Sequence, residues 1–427
     1  TGIGWDERVR LGVRRSQETG FSFELSGDLL YNNKVSPWQV DTITEAMPAG
    51  YGAGNGFGGT LREANVGYRT SFLLVRMGLD TSDWGLGMVA NSGSGKSLFG
   101  REDGGDRVFR TSVTTMPLSK STPLYLTFAF DGVVEDDMAT LANGQNAVQG
   151  IGSLLYASSK RRYGVYTVYR HQLEQDKRRK TNAMMFDLFG EERGEVRGHV
   201  VSLGVEMALA SGTTDRAVTY QSPTELSSLS GGAVAKFSIE NTNRNLSMHL
   251  NGGYASGDAN PDDAVLNDFT FDKNFGVGAA LFDVAMASIE TATYALLTDP
   301  EYSAVPPAGA EAIVTGGAFR KAVYFQPVLG LGLGERTDVR VGGVMAWSTA
   351  PIAQPFYTFR AGGEPHNHLD EPTNDRKIGD ELNWSISHTY KRGTLAVEGA
   401  HAWLSSAMGG DEQGRFDLLM LRLETKL

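Results

Sequence analysis

The sequence has 427 residues, no cysteine and a formal net charge of −11. The absence of cysteine excludes a disulfide framework, a thiolate zinc site and thiol catalysis. The acidic balance argues against duplex nucleic acid as a partner. The 53 glycines, with only 14 prolines and 10% aromatic residues, favour strands and turns over helices. No apolar run reaches the roughly 18 residues of a membrane-spanning helix.

The length exceeds what one ordinary soluble core accommodates, since single cores stop growing at about 250–300 residues. No Pro-rich, Ser-rich or strongly charged linker divides the chain. A large closed sheet is not subject to this size limit, because its interior can hold water and need not be filled by packed apolar side chains. We therefore expect one domain over residues 1–427. No signal peptide is visible at Thr1, so we expect a mature form whose signal has been removed.

The first motif in chain order is "ANSGSGKS" at 90–97, which fits the loose phosphate-loop pattern and places Lys96 and Ser97 at the phosphate and Mg²⁺ positions. A phosphate loop works only between a buried parallel strand and a helix. "WGLGMV" before the motif predicts a short strand, but the segment after it has no helical period. We therefore interpret the motif as a flexible surface loop and predict no enzymatic activity.

Apolar and polar residues alternate with a period of two along much of the chain, which predicts β-strands with one apolar face. Clear examples are 124–131, 200–209 and 319–333. In the last of these, Phe319 and Val323 share the apolar face. Several such segments exceed ten residues, and a tilted strand needs about 9–11 residues to cross a bilayer.

Two architectures fit these strands, a soluble β-sandwich and a transmembrane barrel. The polar faces favour the barrel, because they carry Gly, Ser, Asn, Gln and charges of both signs, as an aqueous lumen requires. Aromatic residues near strand ends, such as Trp84, Tyr163 and Trp403, fit interfacial girdles. We predict an all-β fold, a single closed antiparallel transmembrane β-barrel of the bacterial outer membrane. The predicted lumen-lining side chains are those of Asp131, Arg170, Glu206, Lys236, Arg320, Tyr324, Gln326, Arg340, Arg422 and Glu424.

Loop lengths predict the strand number, since such barrels alternate short periplasmic turns with long external loops. The predicted short turns are 17–20, 80–83, 120–122, 158–161, 190–195, 241–244, 334–336 and 391–393. The predicted long connections are 34–60, 92–106, 135–146, 176–180, 212–230, 257–317, 350–378 and 407–415. They define about 17 strands, and bacterial barrels have an even number. We therefore predict 16–18 strands and prefer 18, with one strand upstream or a miscount near the N-terminus.

Within the predicted long external loop 257–317, the spacing of apolar residues changes from the period of a strand to the period of a helix. Leu281, Val284, Ile289 and Leu296 have helical spacing, which predicts a helix that either folds into the lumen as a plug or packs on a partner. Near the start of the same loop, oxygen-bearing side chains suit a Ca²⁺ ion, although we favour a solvated turn as their explanation. These side chains are Asp258, Asn260 and Asp262. No other cofactor is expected.

Three segments carry a family resemblance: "RMGLDTSDWGLGMVANSG" (76–93), "YASGDANPDD" (254–263) and "NDFTFDKNFGVGAALFD" (267–283). They resemble large outer-membrane barrels of the myxobacterial type, which are similar in layout to the alginate-export family of 18-stranded barrels. That resemblance implies export of an acidic polysaccharide through a lumen rich in Arg and Lys. The mixed charges predicted for this lumen depart from that pattern and leave a polar solute or a neutral polymer open.

We therefore expect a passive channel of the Gram-negative outer membrane that passes polar solutes or exports a polysaccharide. Pore width and inward-facing charges would set what passes. The alternative is a non-conducting barrel that anchors a partner complex for motility, secretion or electron transfer. The expected partners are outer-membrane lipid and other periplasmic or outer-membrane proteins, and no nucleic acid.

Overall fold

A computed structural model describes most of the chain. The described residues are 5–33, 56–93, 97–100, 105–118, 122–216, 225–241, 246–260, 263–299, 301, 315–391, 393–408 and 414–425. The strands are β1 Trp5–Arg15, β2 Gly20–Asn33, β3 Gly56–Arg69, β4 Leu73–Thr81, β5 Arg107–Thr115, β6 Leu124–Glu135, β7 Asn146–Ala157, β8 Arg161–Leu173, β9 Lys180–Val196, β10 His199–Thr214, β11 Leu226–Asn241, β12 Leu246–Ala255, β13 Val265–Leu266, β14 Ala322–Leu333, β15 Thr337–Ser348, β16 Lys377–Tyr390, β17 Gly393–Leu404 and β18 Arg415–Thr425.

Helices are few and lie in the connections between strands. A π-helical turn, Leu281–Met286, leads directly into α1, Ala287–Thr298. A short helix α2, Pro355–Arg360, lies between β15 and β16. Within the described residues, no helix combines the length and the apolar character needed to cross a membrane.

The sheet has eighteen strands, seventeen long ones and the two-residue β13, which confirms the predicted all-β fold and, with β13 counted, the preferred strand number. Each long strand pairs antiparallel with the next long strand along the chain, from β1 to β18. The exception is β13, whose two residues pair parallel with Ser227 and Ser228 of β11. Short turns join the strands at one end of the sheet, the short-turn end, and long connections join them at the other, the long-loop end.

Two of the predicted short turns were wrong. Residues 80–81 end β4, and the connection that follows them is long rather than short. Residues 190–195 lie inside β9, and the actual turn is formed by Arg197 and Gly198, with φ angles of 50° and 78°. Two consecutive residues of positive φ give the tight hairpin that matches the twist of paired strands.

Strand β14 shows how the two faces of the sheet differ. Val323, Phe325 and Leu329 are 38%, 43% and 59% exposed, whereas Tyr324 and Gln326 are each 3% exposed. Because side chains alternate along a strand, the apolar face of β14 points outward and its other face points inward. The same outward apolar face recurs on β10, with Leu203, Val205, Met207 and Leu209 exposed.

The described parts of two long connections lie in the interior, namely residues 82–93, 97–100 and 105–106 of the first and 256–260, 263–299, 301 and 315–321 of the second. The first inner loop, residues 82–106, joins β4 to β5, and the second inner loop, residues 256–321, joins β12 to β14. Their apolar side chains form one buried cluster, which includes Trp84, Leu86, Met88, Phe99, Phe269, Phe271, Phe275, Phe282 and Phe319. The predicted outward orientation of Phe319 was therefore wrong, because β14 begins only at Ala322.

The first inner loop reaches opposite parts of the sheet. Trp84 stacks on Tyr166 of β8 at 5.0 Å between ring centroids. At the other end of the loop, the ring of Phe99 lies 3.2 Å from where a Cβ of Gly342 in β15 would stand. The sheet therefore curves around the loop as a barrel wall. The interfacial position predicted for Trp84 was wrong, since its side chain is only 8% exposed and faces inward.

The described part of "ANSGSGKS" lies in this loop and is buried, except for Ser92 and Ser97, which are half-buried. Ala90 and Asn91 are 5% and 2% exposed, so the prediction of a surface loop was wrong for them. Gly85 and Gly87 have positive φ angles of 55° and 89°, which explains why the predicted strand "WGLGMV" does not form. Lys96 lies outside the described residues.

Candidate functional site

A buried carboxylate of the wall holds the start of the first inner loop. Glu206 of β10 is fully buried and accepts a hydrogen bond from the backbone N–H of Leu86. Gly85 packs directly against it, since a Cβ there would stand 2.6 Å from Glu206 Oε2. Next to it, the indole Nε1 of Trp84 donates to Asp187 of β9 at 2.6 Å. The loop therefore meets the β9–β10 wall through two carboxylates.

A second wall carboxylate holds the second inner loop. Glu381 of β16 accepts three backbone N–H groups, those of Ala279, Ala280 and Leu281, at 2.6, 3.1 and 2.6 Å. These N–H groups open the helical segment that continues into α1, so the negative charge lies where a helix N-terminus favours it. Gly278, at a φ of 73°, leaves the space that the carboxylate occupies.

A third carboxylate binds the end of the first inner loop. Glu398 of β17 accepts the backbone N–H of Gly100 at 3.1 Å. Its other oxygen accepts Arg422 Nη2 at 2.8 Å. Glu398 therefore connects the loop backbone to a cationic side chain of the last strand.

The two inner loops also bind each other. The backbone N–H of Asp272 donates to the carbonyl of Met88 at 2.8 Å, and Asp272 Oδ2 accepts the N–H of Asn91 at 2.8 Å. Asn91 Nδ2 then donates to the carbonyl of Asn274 at 3.0 Å. Burial, with a smaller contribution from nearby Asp137, raises the pKa of Asp272 to about 7. The junction therefore contains a carboxyl that titrates near neutral pH.

A polar cavity of about 120 Å³ lies between residues 97–100 of the first inner loop and the wall formed by β15 to β18. The wall contributes Arg340, Ser385, Ser387, Thr394, Glu398 and Arg422. Arg340 Nη1 lies 3.5 Å from the carbonyl oxygen of Leu98, and no described carboxylate lies within ion-pair distance of it. The cavity thus combines two guanidinium groups with one carboxylate and four hydroxyls, the fourth being that of Ser97 in the loop.

The other predicted lumen residues lie at several levels of the interior. Asp131 is fully buried and forms a bidentate ion pair with Arg110 at 2.8 and 2.7 Å. Arg170 pairs with Asp136, with Nη2 3.2 Å from Asp136 Oδ1. Gln326 Oε1 accepts Asn251 Nδ2 at 3.2 Å.

Two further predicted residues contact the inner loops. Lys236 Nζ lies 3.3 Å from the carbonyl oxygen of Leu86 and 4.5 Å from the ring centroid of Phe275. Tyr324 packs against Phe319 with ring centroids 5.0 Å apart. The backbone of Glu424 in β18 pairs with that of Thr394 in β17, and the side chain of Glu424 lies outside the described part of the chain.

The strand predicted over 319–333 was wrong for Arg320. Arg320 lies in the second inner loop, before β14 begins, and pairs with Asp268 at 3.5 Å and Glu290 at 3.7 Å. Arg340 pairs with Gly330, towards the other end of β14. The two arginines therefore lie at different levels of the lumen, because β14 is shorter than the alternating pattern that predicted it.

Asp258, one of the residues proposed for Ca²⁺, holds the loop backbone. Asp258 accepts the N–H groups of Asn260 and Asn267 at 3.0 and 3.4 Å. Asp262 lies outside the described residues. Over the part of the chain that the structure describes, no group of three acidic or histidine side chains is arranged to hold a metal ion.

Glu381 is the functional residue that the sequence reasoning missed. The signal was present in "ELNWSIS", where Glu381, Asn383 and Ser385 alternate with the apolar Leu382 and Ile386. That alternation places all three polar residues on the inner face. The partner of Glu381 could not be inferred, because it lies about a hundred residues earlier in the chain.

No protein-family model and no curated protein sequence matches this chain. Among solved structures it is similar to Pseudomonas aeruginosa OccK2 (OpdF), with a TM-score of 0.55, 11% identity and coverage of 99% of this chain and 91% of that chain. It is also similar to OccD3 (OpdP) of the same organism, with a TM-score of 0.52, 10% identity and coverage of 99% and 87%. A third similar structure is the outer membrane protein OprD, with a TM-score of 0.51, 9% identity and coverage of 99% and 87%. At this identity the likeness shows the fold alone, that of a large 18-stranded β-barrel.

Proposed function

We propose that the protein is an outer-membrane channel for small polar solutes. The outward apolar faces of its long strands match the hydrocarbon core of a bilayer, and the inward faces carry the polar and charged side chains. The fold is shared with outer membrane proteins of Pseudomonas aeruginosa, one of which, OccK2, was solved in complex with glucuronate. The short-turn end would face the periplasm and the long-loop end the exterior.

The observation that carries the proposal is the polar cavity on the β15–β18 wall. Arg340 and Arg422 place positive charge beside the hydroxyls of Ser385, Ser387 and Thr394. Such a set can replace the hydration shell of a small polar or anionic solute on its way through the lumen. One of the solved structures of similar fold contains glucuronate, a small solute, which is why we propose small solutes and not polysaccharide export.

One observation favours a second candidate function, a non-conducting barrel that anchors a partner complex. The apolar cluster of the two inner loops crosses the lumen, and packed aromatic side chains exclude water and ions. Such a barrel would insert in the membrane without passing solute.

Conductance distinguishes the two candidates. The purified protein is inserted into planar bilayers in symmetric salt, and current steps are recorded with and without a small carboxylate such as glucuronate. A channel gives discrete steps that the carboxylate reduces at millimolar concentration. Stable insertion, verified by protection of the barrel from protease in vesicles, without any current steps would contradict the channel and favour the anchoring function.

A further inference from the structure

We infer that a groove on the outer, membrane-facing surface of β6 to β10 binds an anionic phospholipid of the periplasmic leaflet. The inference goes beyond the proposed channel function. It rests on the orientation given above, with the short-turn end in the periplasm, and not on conduction. The groove is an apolar depression of about 460 Å³ that extends from Leu124 of β6 to Met207 of β10.

The missing side chain of Gly190 opens the groove. Gly190 of β9 pairs with Tyr163 of β8 and with Val205 of β10, so the three residues form one row across the outer surface. Tyr163 and Val205 are 41% and 37% exposed, and their side chains stand on either side of the glycine. A Cβ at Gly190 would lie 3.3 Å from Tyr163 Cδ1, so the glycine faces outward and a larger residue there would fill the depression.

The wall behind the groove is supported from the inside of the barrel. Gly164 and Phe189 line the groove with their backbone and face inward. A Cβ at Gly164 would lie 2.6 Å from Trp84 Cη2, and the ring of Phe189 packs on Trp84 with centroids 6.2 Å apart. Because these contacts fix the wall whether or not the groove is filled, the groove is preformed, and a ligand that enters it pays little for ordering the protein.

The groove runs from the membrane interface towards the hydrocarbon core. Tyr156 and Tyr163 stack with ring centroids 6.2 Å apart, next to the short turn between β7 and β8. Tyr68 is exposed at the same end of β3, and tyrosines at strand ends mark the level of the interface. Leu154 and Leu188 line the groove two residues further from the turns. This is the direction and the polarity of a lipid acyl chain.

Cationic side chains lie at the interfacial end of the groove. Lys160 and Arg161 are exposed there, and Arg161 Nε lies 3.3 Å from Glu192 Oε1. The N–H of Arg193 donates to the carbonyl of Lys160 at 2.8 Å, which brings the β9–β10 turn beside the β7–β8 turn. The segments 160–162 and 191–197 contain five basic and three acidic residues, although the whole chain has a net charge of −11. Basic residues at a membrane surface attract anionic headgroups, so this end suits a phosphate.

The same charges disfavour a second copy of the chain as the occupant. A two-fold symmetric contact would place this patch against itself. Lys160 and Arg161 would then face the same two cations of the other copy, whereas a phospholipid places its phosphate beside them and its acyl chain in the apolar groove.

The test measures lipid binding by native mass spectrometry. The purified, delipidated protein is titrated with phosphatidylglycerol or with phosphatidylethanolamine of the same acyl chains. Gly190→Leu fills the groove. Its matched control is Gly150→Leu, because Gly150 is an exposed glycine on the outer face of β7 with open space around it and does not line the groove. Each variant is first shown to be folded by its shift on electrophoresis before and after heating.

A second pair of variants tests the headgroup end. Lys160→Gln with Arg161→Gln removes two cations beside the groove. The control is Arg336→Gln with Lys391→Gln, which removes two exposed cations from other short turns.

We expect the wild type to bind its first phosphatidylglycerol about tenfold more tightly than phosphatidylethanolamine. Gly190→Leu should weaken that binding at least about tenfold, the factor for loss of contact with some two methylene groups, and Gly150→Leu should leave it unchanged. Lys160→Gln with Arg161→Gln should abolish the preference between the two lipids, and its control should retain it.

Equal affinity of the wild type for the two lipids, or equal effects of the two glycine substitutions, would overturn the site. A dimer that Gly190→Leu dissociates, with lipid binding unchanged, would also overturn it and assign the groove to a second copy. Each of these results leaves the channel proposal standing, because that proposal is tested by conductance.

Discussion

Gly278 and Glu381 are in contact across the boundary between the second inner loop and the wall: a Cβ on Gly278 would stand 2.6 Å from Glu381 Oε1. The glycine also has a φ of 73°, where a side chain is strained. The same position therefore requires glycine for two independent reasons. The backbone conformation aims the next three N–H groups at the carboxylate, and the missing side chain lets the carboxylate approach.

The substitution Gly278→Ala should destabilise the seating of the second inner loop. The positive φ costs about 1 kcal/mol for any residue with a Cβ, and displacement of the buried carboxylate adds roughly 1–3 kcal/mol. Gly362→Ala is the matched control, because Gly362 has the same φ of 73° and open space around it. Protease sensitivity of the loop and urea unfolding followed by Trp fluorescence measure the difference. Equal effects of the two substitutions would show that the contact with Glu381 contributes nothing.

The ion pair between Arg110 and Asp131 provides a test of how much a buried ion pair stabilises the barrel wall. Asp131 is fully buried and its partner bonds both of its oxygens. Removal of one member of a buried pair leaves an uncompensated charge, so Asp131→Ala should cost about 3–5 kcal/mol of unfolding free energy. Glu135→Ala, which breaks the more exposed pair with Arg107 on the same two strands, should cost about 1 kcal/mol or less. Each variant is heated before electrophoresis, and the temperature at which its folded band disappears is recorded. Similar temperatures for the two variants would contradict the prediction.

The strand architecture was predictable because it depends on local pattern. Outward residues such as Val323 and Leu329 alternate with inward ones such as Gln326, and membrane and lumen impose that alternation on every strand. The alternation of short turns and long connections was also visible in the sequence. The local pattern gave a wrong result at Phe319. The alternation of apolar and polar residues continues to this residue, but β14 begins only at Ala322.

The arrangement of the lumen was less predictable, since it depends on contacts between distant parts of the chain. Glu206 was predicted to face inward, but its partner Leu86 lies 120 residues away. The segment Trp84–Val89 has the alternation of a strand and is a loop, because its bonds go to Glu206 and Asp272 rather than to a neighbouring strand. A polar loop that folds inward has the same composition as one that folds outward, so sequence alone did not distinguish them.

The junction of the two inner loops should depend on pH through Asp272. Burial raises its pKa from 3.8 to about 7, so the folded junction favours the protonated acid. Its stabilisation is complete below about pH 4 and is lost as the pH rises to about 7, by up to roughly 1.4 kcal/mol per pH unit. Because amide exchange is itself base-catalysed, the comparison uses protection factors, and we expect those at residues 88–91 and 272–276 to be lower at pH 8 than at pH 5.5. Asp272→Asn, which stays neutral, should remove most of that pH dependence. A pH dependence that persists unchanged in the variant would assign it to another group.

The charges of the polar cavity should set the ion selectivity of the channel. Arg340 and Arg422 lie on its wall beside residues 97–100 of the first inner loop. Fixed charge at a constriction sets the local concentration of counter-ions. The double variant Arg340→Glu with Arg422→Glu should therefore shift selectivity towards cations, by roughly several-fold in permeability ratio. Arg336→Glu is the control, because it reverses an exposed charge in the turn between β14 and β15, outside the polar cavity.

The measurement is the reversal potential in a tenfold salt gradient across a planar bilayer. A shift of equal size in the control would mean that net charge at the mouth, and not the cavity, selects the ions. An unchanged reversal potential in a conducting double variant would mean that ions follow a path away from these two arginines.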